Sequence, residues 1–319
     1  MSKDKKVCVI GAGYWGSNHI KTLDELNMLG GLVETDLQLR EKVKQQYSEI
    51  RIFSDLSEAI DSGLFLGFTI ATPAATHFSL AKEILLSGIP VLVEKPFCLN
   101  LDEAKELKNI AESRKLCLMV GHLLLFHNAI VDIKRIVSQE GIGELKYIYS
   151  NRLNLGIVRS YEDVFWSLAP HDISIIQYLC DMKPNKVSMT NHAFLNKDIA
   201  DIQITNLEYP SDIKAHIFSS WYNPFKEHRL VVCGSSGFID YKASEDDFFT
   251  IYDCNYESVE SNIQVKNNNS QKIFFEKAEP LKEQLSYFID NITNQTLPEI
   301  AGPKSALETT EIMLSIKNQ

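Results

Sequence analysis

Lys95 stands where a basic side chain can do chemistry. It follows the apolar run Ile89–Val93 in the triplet Glu94-Lys95-Pro96. Pro96 holds the lysine backbone extended. A lysine placed there is aimed at the end of a buried strand; the alternative is a rim lysine paired with Glu94. Beside an oxidised nicotinamide, like charge disfavours the ammonium form and brings its pKa toward a range useful for proton transfer. His171 is the second candidate, in Ser167-Leu168-Ala169-Pro170-His171-Asp172. Pro170 suits the first position of a helix expected over 170–179. His171 then falls in the first turn, where the macrodipole favours the neutral, proton-accepting imidazole. The third element is Gly11-Ala12-Gly13-Tyr14-Trp15-Gly16, after the apolar stretch Val7-Cys8-Val9-Ile10. Gly11 allows a tight turn, Gly13 lets backbone approach a pyrophosphate, and Gly16 lets a helix pack close on the strand. The helix N-terminus then faces phosphate charge.

These residues need a scaffold, and the chain supplies one by alternation. Strands are expected at Val7–Ile10, Gly31–Thr35, Arg51–Phe53, Leu64–Ala71, Ile89–Val93 and Leu116–Val120. Helices are expected between them, from Ser17 to Met28, Leu37 to Tyr47, after a Ser54 cap, up to Gly88, and from Leu101 to Ser113 with Asn100 as cap and Glu103 as capping-box partner. Alternation of this kind implies right-handed crossovers and a doubly wound parallel sheet. Ligands bind at the carboxyl ends of such strands. Three loops fall there: Gly11–Gly16, Thr72-Pro73 through His77, and Glu94–Pro96.

The pattern changes near residue 122. After a helix over 128–139 come mostly strands, at 145–155, 186–193, 202–209, 213–221, 229–232, 238–241, 248–252 and 272–275, with turns such as Asn267-Asn268-Asn269 between them. Strands in succession point to an antiparallel sheet. The expected class is α/β: a Rossmann domain over 1–122, then an α+β domain over 123–319 with a large, mainly antiparallel open sheet. Two closing helices, at 281–292 and 303–316, complete it, and the last may pack back on the first domain.

Composition narrows the function. The 319 residues carry a net charge of −10, with 45% hydrophobic and 23% charged residues. That is a globular balance, and no basic stripe is present to neutralise nucleic-acid phosphates. No apolar run reaches the length of a membrane helix, and the start does not read as a secretion signal. The six cysteines, Cys8, Cys98, Cys117, Cys180, Cys233 and Cys254, are scattered without a Cys-x-x-Cys pair. Reduced thiols in a cytoplasmic protein with no metal site are the expected reading.

Taken together, Gly11–Gly16, Ala71-Thr72-Pro73, Thr76-His77, Glu94-Lys95-Pro96 and Leu168-Ala169-Pro170-His171-Asp172 resemble, in order and spacing, the Gfo/Idh/MocA oxidoreductases. Arg152-Leu153-Asn154-Leu155-Gly156, Ser220-Trp221 and Arg229–Gly237 look like one branch of that family. The branch comprises UDP-N-acetylglucosamine or UDP-N-acetylglucosaminuronate 3-dehydrogenases and sugar-nucleotide 3-ketoreductases. The resemblance implies NAD or NADP on the first domain and a small-molecule substrate, a sugar nucleotide, on the second domain's sheet. It implies that Lys95, before an often cis Pro96, lies near the reacting hydroxyl, and that His171 serves as acid/base. It further implies a role in surface-polysaccharide or amino-sugar synthesis, and a homodimer or homotetramer formed through the open sheet face. The expected cofactor contacts are Gly11, Gly13, Tyr14, Trp15, Gly16, Thr72, Pro73, His77, Glu94, Lys95 and Pro96.

Two departures bear on the chemistry. Many members carry aspartate four residues before the histidine, where this chain has Ser167. The acid that reads the ribose diol commonly ends the second strand, and Thr35 is expected at that point in Val33-Glu34-Thr35-Asp36. Glu34 or Asp36 can take its place and favours NAD by repelling a 2′-phosphate; Arg40, the alternative, would receive that phosphate and admit NADP. On the substrate side Arg152, Asn154 and Arg159 are placed at the pyrophosphate, since guanidinium suits it by its fork and Arg152 and Asn154 share a strand face; the alternative for each is a surface or interdomain ion pair. His122 ends the sixth strand and borders the site. Trp166 and Tyr161 offer aromatic surface to a sugar or uracil. His19, His127, His192, His216 and His228 are read as structural, and so is His77 by its alternative reading, although its loop faces the cofactor. The rival readings are a free sugar or inositol-like polyol dehydrogenase and a regulator that binds NAD(H) without turnover.

Overall fold

The computed structural model describes residues 5–155, 158–159, 163–243, 247–259 and 262–317. Two compact units divide the chain: residues 1–126 with 279–311, and residues 127–278 with 312–319.

The first unit alternates strand and helix. Its elements are β1 (Lys6–Ile10), α1 (Tyr14–Glu25), β2 (Leu29–Val33), α2 (Leu37–Gln46), β3 (Arg51–Phe53), α3 (Leu56–Asp61), β4 (Phe65–Ile70), α4 (His77–Leu86), β5 (Val91–Val93), α5 (Leu101–Arg114) and β6 (Leu118–Val120). The strands form one parallel sheet in the order β3-β2-β1-β4-β5-β6, the order of a dinucleotide-binding Rossmann fold. Its centre is dry. Val7, Val9, Val91 and Leu92 are all fully buried, as a parallel sheet covered on both faces requires.

Local chemistry sets the element ends, and several differ from expectation. α1 starts at Tyr14, three residues before Ser17, because Gly13 already stands as its N-cap; it stops at Glu25, and Asn27 turns left-handed at φ 56°. β2 ends at Val33, so Glu34 and not Thr35 is the first residue past the strand. α3 is capped by Asp55, whose carboxylate accepts from the Ser57 and Glu58 amides, and not by Ser54. Asn100 caps α5 through the Glu103 amide at 2.9 Å, as the sequence indicates.

The second unit contains α6 (Asn128–Ser138), β7 (Leu145–Leu155), α7 (Val164–Cys180), β8 (Lys186–His192), β9 (Ile202–Glu208), β10 (Lys214–Ser220), β11 (Tyr222–Gly234), β12 (Gly237–Lys242), β13 (Phe248–Val259) and β14 (Asn262–Phe274). They build an eight-stranded sheet in the order β14-β13-β12-β11-β7-β10-β9-β8. β7 and β10 run parallel at its middle, and the other pairings are antiparallel. The Asn267–Asn269 run, expected as a turn, lies inside β14, where Asn267 pairs with Cys254. Cross-strand pairing there outweighs the weak strand preference of asparagine.

α7 is the largest departure. It begins at Val164, with the Asp163 carboxylate accepting from the Trp166 amide at 2.9 Å, so Pro170 sits in its interior and not at its first position. Interior proline costs about 3 kcal/mol. The helix buries Val164, Phe165, Ala169, Ile173 and Ile176 almost completely. Each larger side chain among them is worth about 1.5–3 kcal/mol, so packing outweighs the proline. His171 is therefore mid-helix, and the first-turn dipole argument for its neutral form does not apply.

The chain closes with α8 (Pro280–Asn294) and α9 (Pro303–Lys317). α8 is part of the first unit, where Gln284 donates to the Val120 carbonyl at 3.2 Å and Tyr287 packs on Phe126 with ring centroids 5.3 Å apart. All six cysteines are free. Burial pushes the Cys98, Cys117 and Cys180 thiols up to about 12, which keeps them protonated. Among the described residues no helix is long and apolar enough to cross a membrane.

Candidate active site

The loops leaving β1, β4 and β5 define the first unit's candidate site. Gly11 adopts φ +90°, and a Cβ there would stand 2.9 Å from the Ala71 carbonyl oxygen. A Cβ on Gly16 would meet the Gly11 carbonyl at 2.0 Å, so α1 can approach β1 only with glycine at that position. A Cβ on Gly13 would meet nothing within 4 Å. The open space thus lies at the middle glycine, where a pyrophosphate would approach. The start of α1 has no side-chain cap and no acidic residue in its first turn, which leaves its amides and dipole to an anion. Tyr14, 82% exposed, and Trp15 stand edge to face at that helix start. These residues fit a dinucleotide.

Glu34 completes the cradle. Its Oε2 accepts from the Ala12 amide at 2.7 Å, and its Oε1 from the Asp36 amide at 2.9 Å. Glu34 thus ties the turn after β2 to the glycine loop. Thr35 is exposed and only reaches back to Glu34, and Asp36 is occupied as the cap of α2, accepting from the Leu39 amide.

The Glu94-Lys95-Pro96 turn follows β5, with the Lys95–Pro96 bond cis. Glu94, 4% exposed, accepts from the Lys95 amide at 3.1 Å and lies 2.9 Å from His19 Nε2. His19 belongs to α1, so one buried pair ties the glycine-loop helix to the lysine turn. His77 makes a second tie. Its Nδ1 lies 2.8 Å from the Pro96 carbonyl oxygen and its Nε2 2.9 Å from that of Thr72. His77 is 1% exposed, so it braces the two loops. The Thr72 hydroxyl bonds Thr76 at 2.7 Å, shaping the turn that Pro73 enters.

His122, expected to border the site, is buried as well. It is 3% exposed, and neither ring nitrogen has a hydrogen-bond partner. Burial lowers its pKa to about 4, with Glu94 opposing and Lys95 adding to the fall. It is a buried, neutral imidazole.

In the second unit, Ser150, Arg152 and Asn154 share the face of β7 that looks toward α7. Asp172 of α7, 2% exposed, accepts from Arg152 Nε at 2.5 Å, from Arg152 Nη2 at 3.0 Å and from the Ser150 hydroxyl at 2.6 Å. Arg152 was expected at a pyrophosphate; its fork is instead closed on a buried carboxylate, and its charge is compensated. His228, read from the sequence as structural, pairs with Arg152 across the strands. Burial lowers its pKa to about 4, with Arg152 and Lys226 adding to the fall and Asp172 opposing it. Tyr241 is pushed up to about 12 by burial, against the pull of Arg152. The period of two places His228 on Arg152's face, a signal that needs the β7–β11 register to be read. Asn154 and Trp166 are half-buried and Arg159 is exposed. Gly156 and Tyr161 lie outside the described residues.

Comparison with known proteins agrees with this geometry. Residues 5–122 match the oxidoreductase family with an NAD-binding Rossmann fold, and residues 130–240 match the GFO/IDH/MocA C-terminal domain. The UDP-N-acetylglucosamine 3-dehydrogenase of Acidithiobacillus ferrooxidans is 29% identical over 177 residues, 55% of this chain and 54% of that protein. The match thus spans about half of that relative's length. The scyllo-inositol 2-dehydrogenase (NAD(+)) of Bacillus subtilis is 25% identical over 254 residues, 75% of this chain and 74% of that protein. The solved structure of the Acidithiobacillus ferrooxidans enzyme superposes with a TM-score of 0.83 at 22% identity, covering 98% of this chain and 96% of that one. A levoglucosan dehydrogenase complex with NADH superposes at 0.84 with 13% identity, covering 98% and 96%. With both domains matched, the chain belongs to the Gfo/Idh/MocA oxidoreductase family, and its first domain is an NAD-binding Rossmann fold.

Proposed function

We propose that this protein transfers hydride at a sugar carbinol or its ketone, at C3 of a nucleotide-linked N-acetyl sugar. The observation that carries the reading is the lysine turn: Lys95 follows the end of β5, in the same unit as a glycine loop shaped for a dinucleotide. The A. ferrooxidans similarity supports the sugar-nucleotide class. Gly11, Gly13, Gly16 and the start of α1 would hold the pyrophosphate, and Glu34 the ribose diol. Bound NAD supplies hydride acceptance at the nicotinamide. Lys95 orients and polarises the reacting oxygen. His171 takes the hydroxyl proton in oxidation and returns it in reduction. Asn154, Arg159 and Trp166 are the residues offered to the substrate.

Lys95→Ala and His171→Ala each lower kcat by about 10²–10⁴-fold, the usual worth of a positioned acid or base. Turnover near wild type in both would end this assignment. Thermal midpoints with NAD, NADH, NADP and NADPH, alone and with UDP-N-acetylglucosamine or its uronate, test the ligands. Binding at a hundredfold excess over Kd stabilises by about 2.7 kcal/mol. A shift from a sugar nucleotide on top of NAD is the expected result.

One observation favours a second reading. With Arg152 compensated by Asp172, less positive charge is left for a pyrophosphate. A free polyol, as in the inositol dehydrogenase similarity, would need none. A midpoint shift from inositol and none from any sugar nucleotide would select it.

We also infer a cytoplasmic homo-oligomer joined through the sheet face opposite α7, where Tyr147 and Ile204 are exposed. Sedimentation at a single monomer mass would contradict the assembly.

A further inference from the structure

The helix that carries His171 lacks one of its own backbone bonds next to it. Pro170, inside α7, has no N–H to donate to the carbonyl one turn earlier. The helix therefore lacks a bond of its own immediately before the histidine. What holds that turn comes from the next residue. Asp172 is 2% exposed, and its carboxylate receives two N–H donors from Arg152 and the Ser150 hydroxyl, all from neighbouring positions on one face of β7. A forked guanidinium fixes a carboxylate in both position and plane. The Ser174 hydroxyl adds a bond to the His171 carbonyl at 2.8 Å. The Arg152 side chain is 13% exposed, and its charge is matched by a partner less exposed than itself.

We infer that Arg152, acting through Asp172, is a positioning residue for His171. It aims the imidazole by clamping the turn of α7 that Pro170 leaves open. This rests on the reading of His171 as the proton-exchanging group. It replaces the sequence expectation that Arg152 grips a substrate phosphate, and it separates the two roles by what each controls. A phosphate grip governs KM, whereas aim of the acid/base governs kcat.

The test compares Arg152→Lys, Arg152→Met, Asp172→Asn, the double variant Arg152→Met/Asp172→Asn, and His171→Ala. Each is assayed with NAD and UDP-N-acetylglucosamine. Ring-nitrogen spectra of histidine-labelled protein are recorded in parallel, with His171 assigned by its loss in His171→Ala. Arg152→Met and Asp172→Asn are each expected to lower kcat about tenfold or more while KM for the sugar nucleotide stays within about twofold. The double variant should lose no more than the worse single, because both act on one turn. It also removes both charges together, so no unpaired carboxylate is left buried to unfold the protein. Arg152→Lys, which keeps the charge but not the fork, falls between. The His171 resonances move in every variant, whether or not this sugar is turned over. A raised KM with kcat retained, or unmoved His171 resonances in the folded double variant, overturns the inference. Wild-type turnover in His171→Ala would instead overturn the reading of His171, and the inference with it. Loss in His171→Ala, with the Arg152 and Asp172 variants active and their His171 resonances unmoved, overturns the inference alone.

Discussion

Glu34 makes the sharpest residue-level statement about the cofactor. Its carboxylate lies across the glycine loop on the Ala12 amide, where the ribose of the adenosine half would lie. A 2′-phosphate there meets a like charge. Glu34→Ala is therefore expected to raise the affinity for NADP relative to NAD by about tenfold or more, read by titration of nicotinamide fluorescence. An unchanged ratio would show that another group selects the cofactor. The sequence offered Glu34, Thr35 and Asp36 together, because a strand end cannot be placed to one residue by pattern alone. Hydrogen bonding separates them.

His122 gives a stability prediction with a defined sign. Its folded pKa is depressed to about 4 by burial, against about 6.5 in the unfolded chain. Below pH 6.5 the unfolded chain takes up a proton that the folded chain refuses. Stability therefore falls between pH 6.5 and 4, by about 3 kcal/mol at most for this one group. His122→Phe is expected to flatten that slope in denaturant melts taken at pH 7 and 4.5. A slope unaltered by the substitution would place the acid sensitivity elsewhere. Nothing in the sequence distinguishes His122 as buried, since Gly121-His122 reads equally well as an exposed loop entrance.

At the scale of elements, the glycine loop separates folding from binding. Gly16 is required for packing, with a Cβ 2.0 Å from the Gly11 carbonyl, whereas Gly13 faces open space. Gly16→Ala should lower the thermal midpoint and NAD affinity together. Gly13→Ala should leave the midpoint of the ligand-free protein within a degree or two, since surface substitutions change stability by about 0.5 kcal/mol or less, and yet weaken NAD binding. Equal losses of stability in both variants would show that the space beside Gly13 is not a binding cradle. These roles were legible in the sequence because strand, glycines and helix come in one uninterrupted order. α7 was not. Pro170 imitates a helix start, and the true cap, Asp163, lies seven residues earlier. Only the burial of Phe165 and Ala169 shows that the helix runs through the proline.

Over the whole molecule, the first sheet could be recognised as parallel and doubly wound from the strand–helix alternation, while its strand order, β3-β2-β1-β4-β5-β6, comes from the structure. The second could be recognised as a sheet but not ordered. Its central parallel pair, β7 and β10, joins strands separated by α7, β8 and β9, and only non-local pairing places them together. The inclusion of α8 in the first unit is likewise a matter of tertiary packing, through Gln284 and Tyr287. The polar group of Arg152, Asp172 and His228 depends on the same long-range register, which is why Arg152 read as a ligand for substrate.

In the proposed reaction, run as oxidation, hydride passes from C3 of a nucleotide-linked sugar to NAD. The direct measurement uses UDP-N-acetylglucosamine carrying deuterium at C3, incubated with NAD and this protein, with the nicotinamide product examined by mass spectrometry. Deuterated NADH is expected, formed by the wild type and lost in Lys95→Ala. Unlabelled NADH, or no NADH from this sugar together with turnover of inositol, would contradict it.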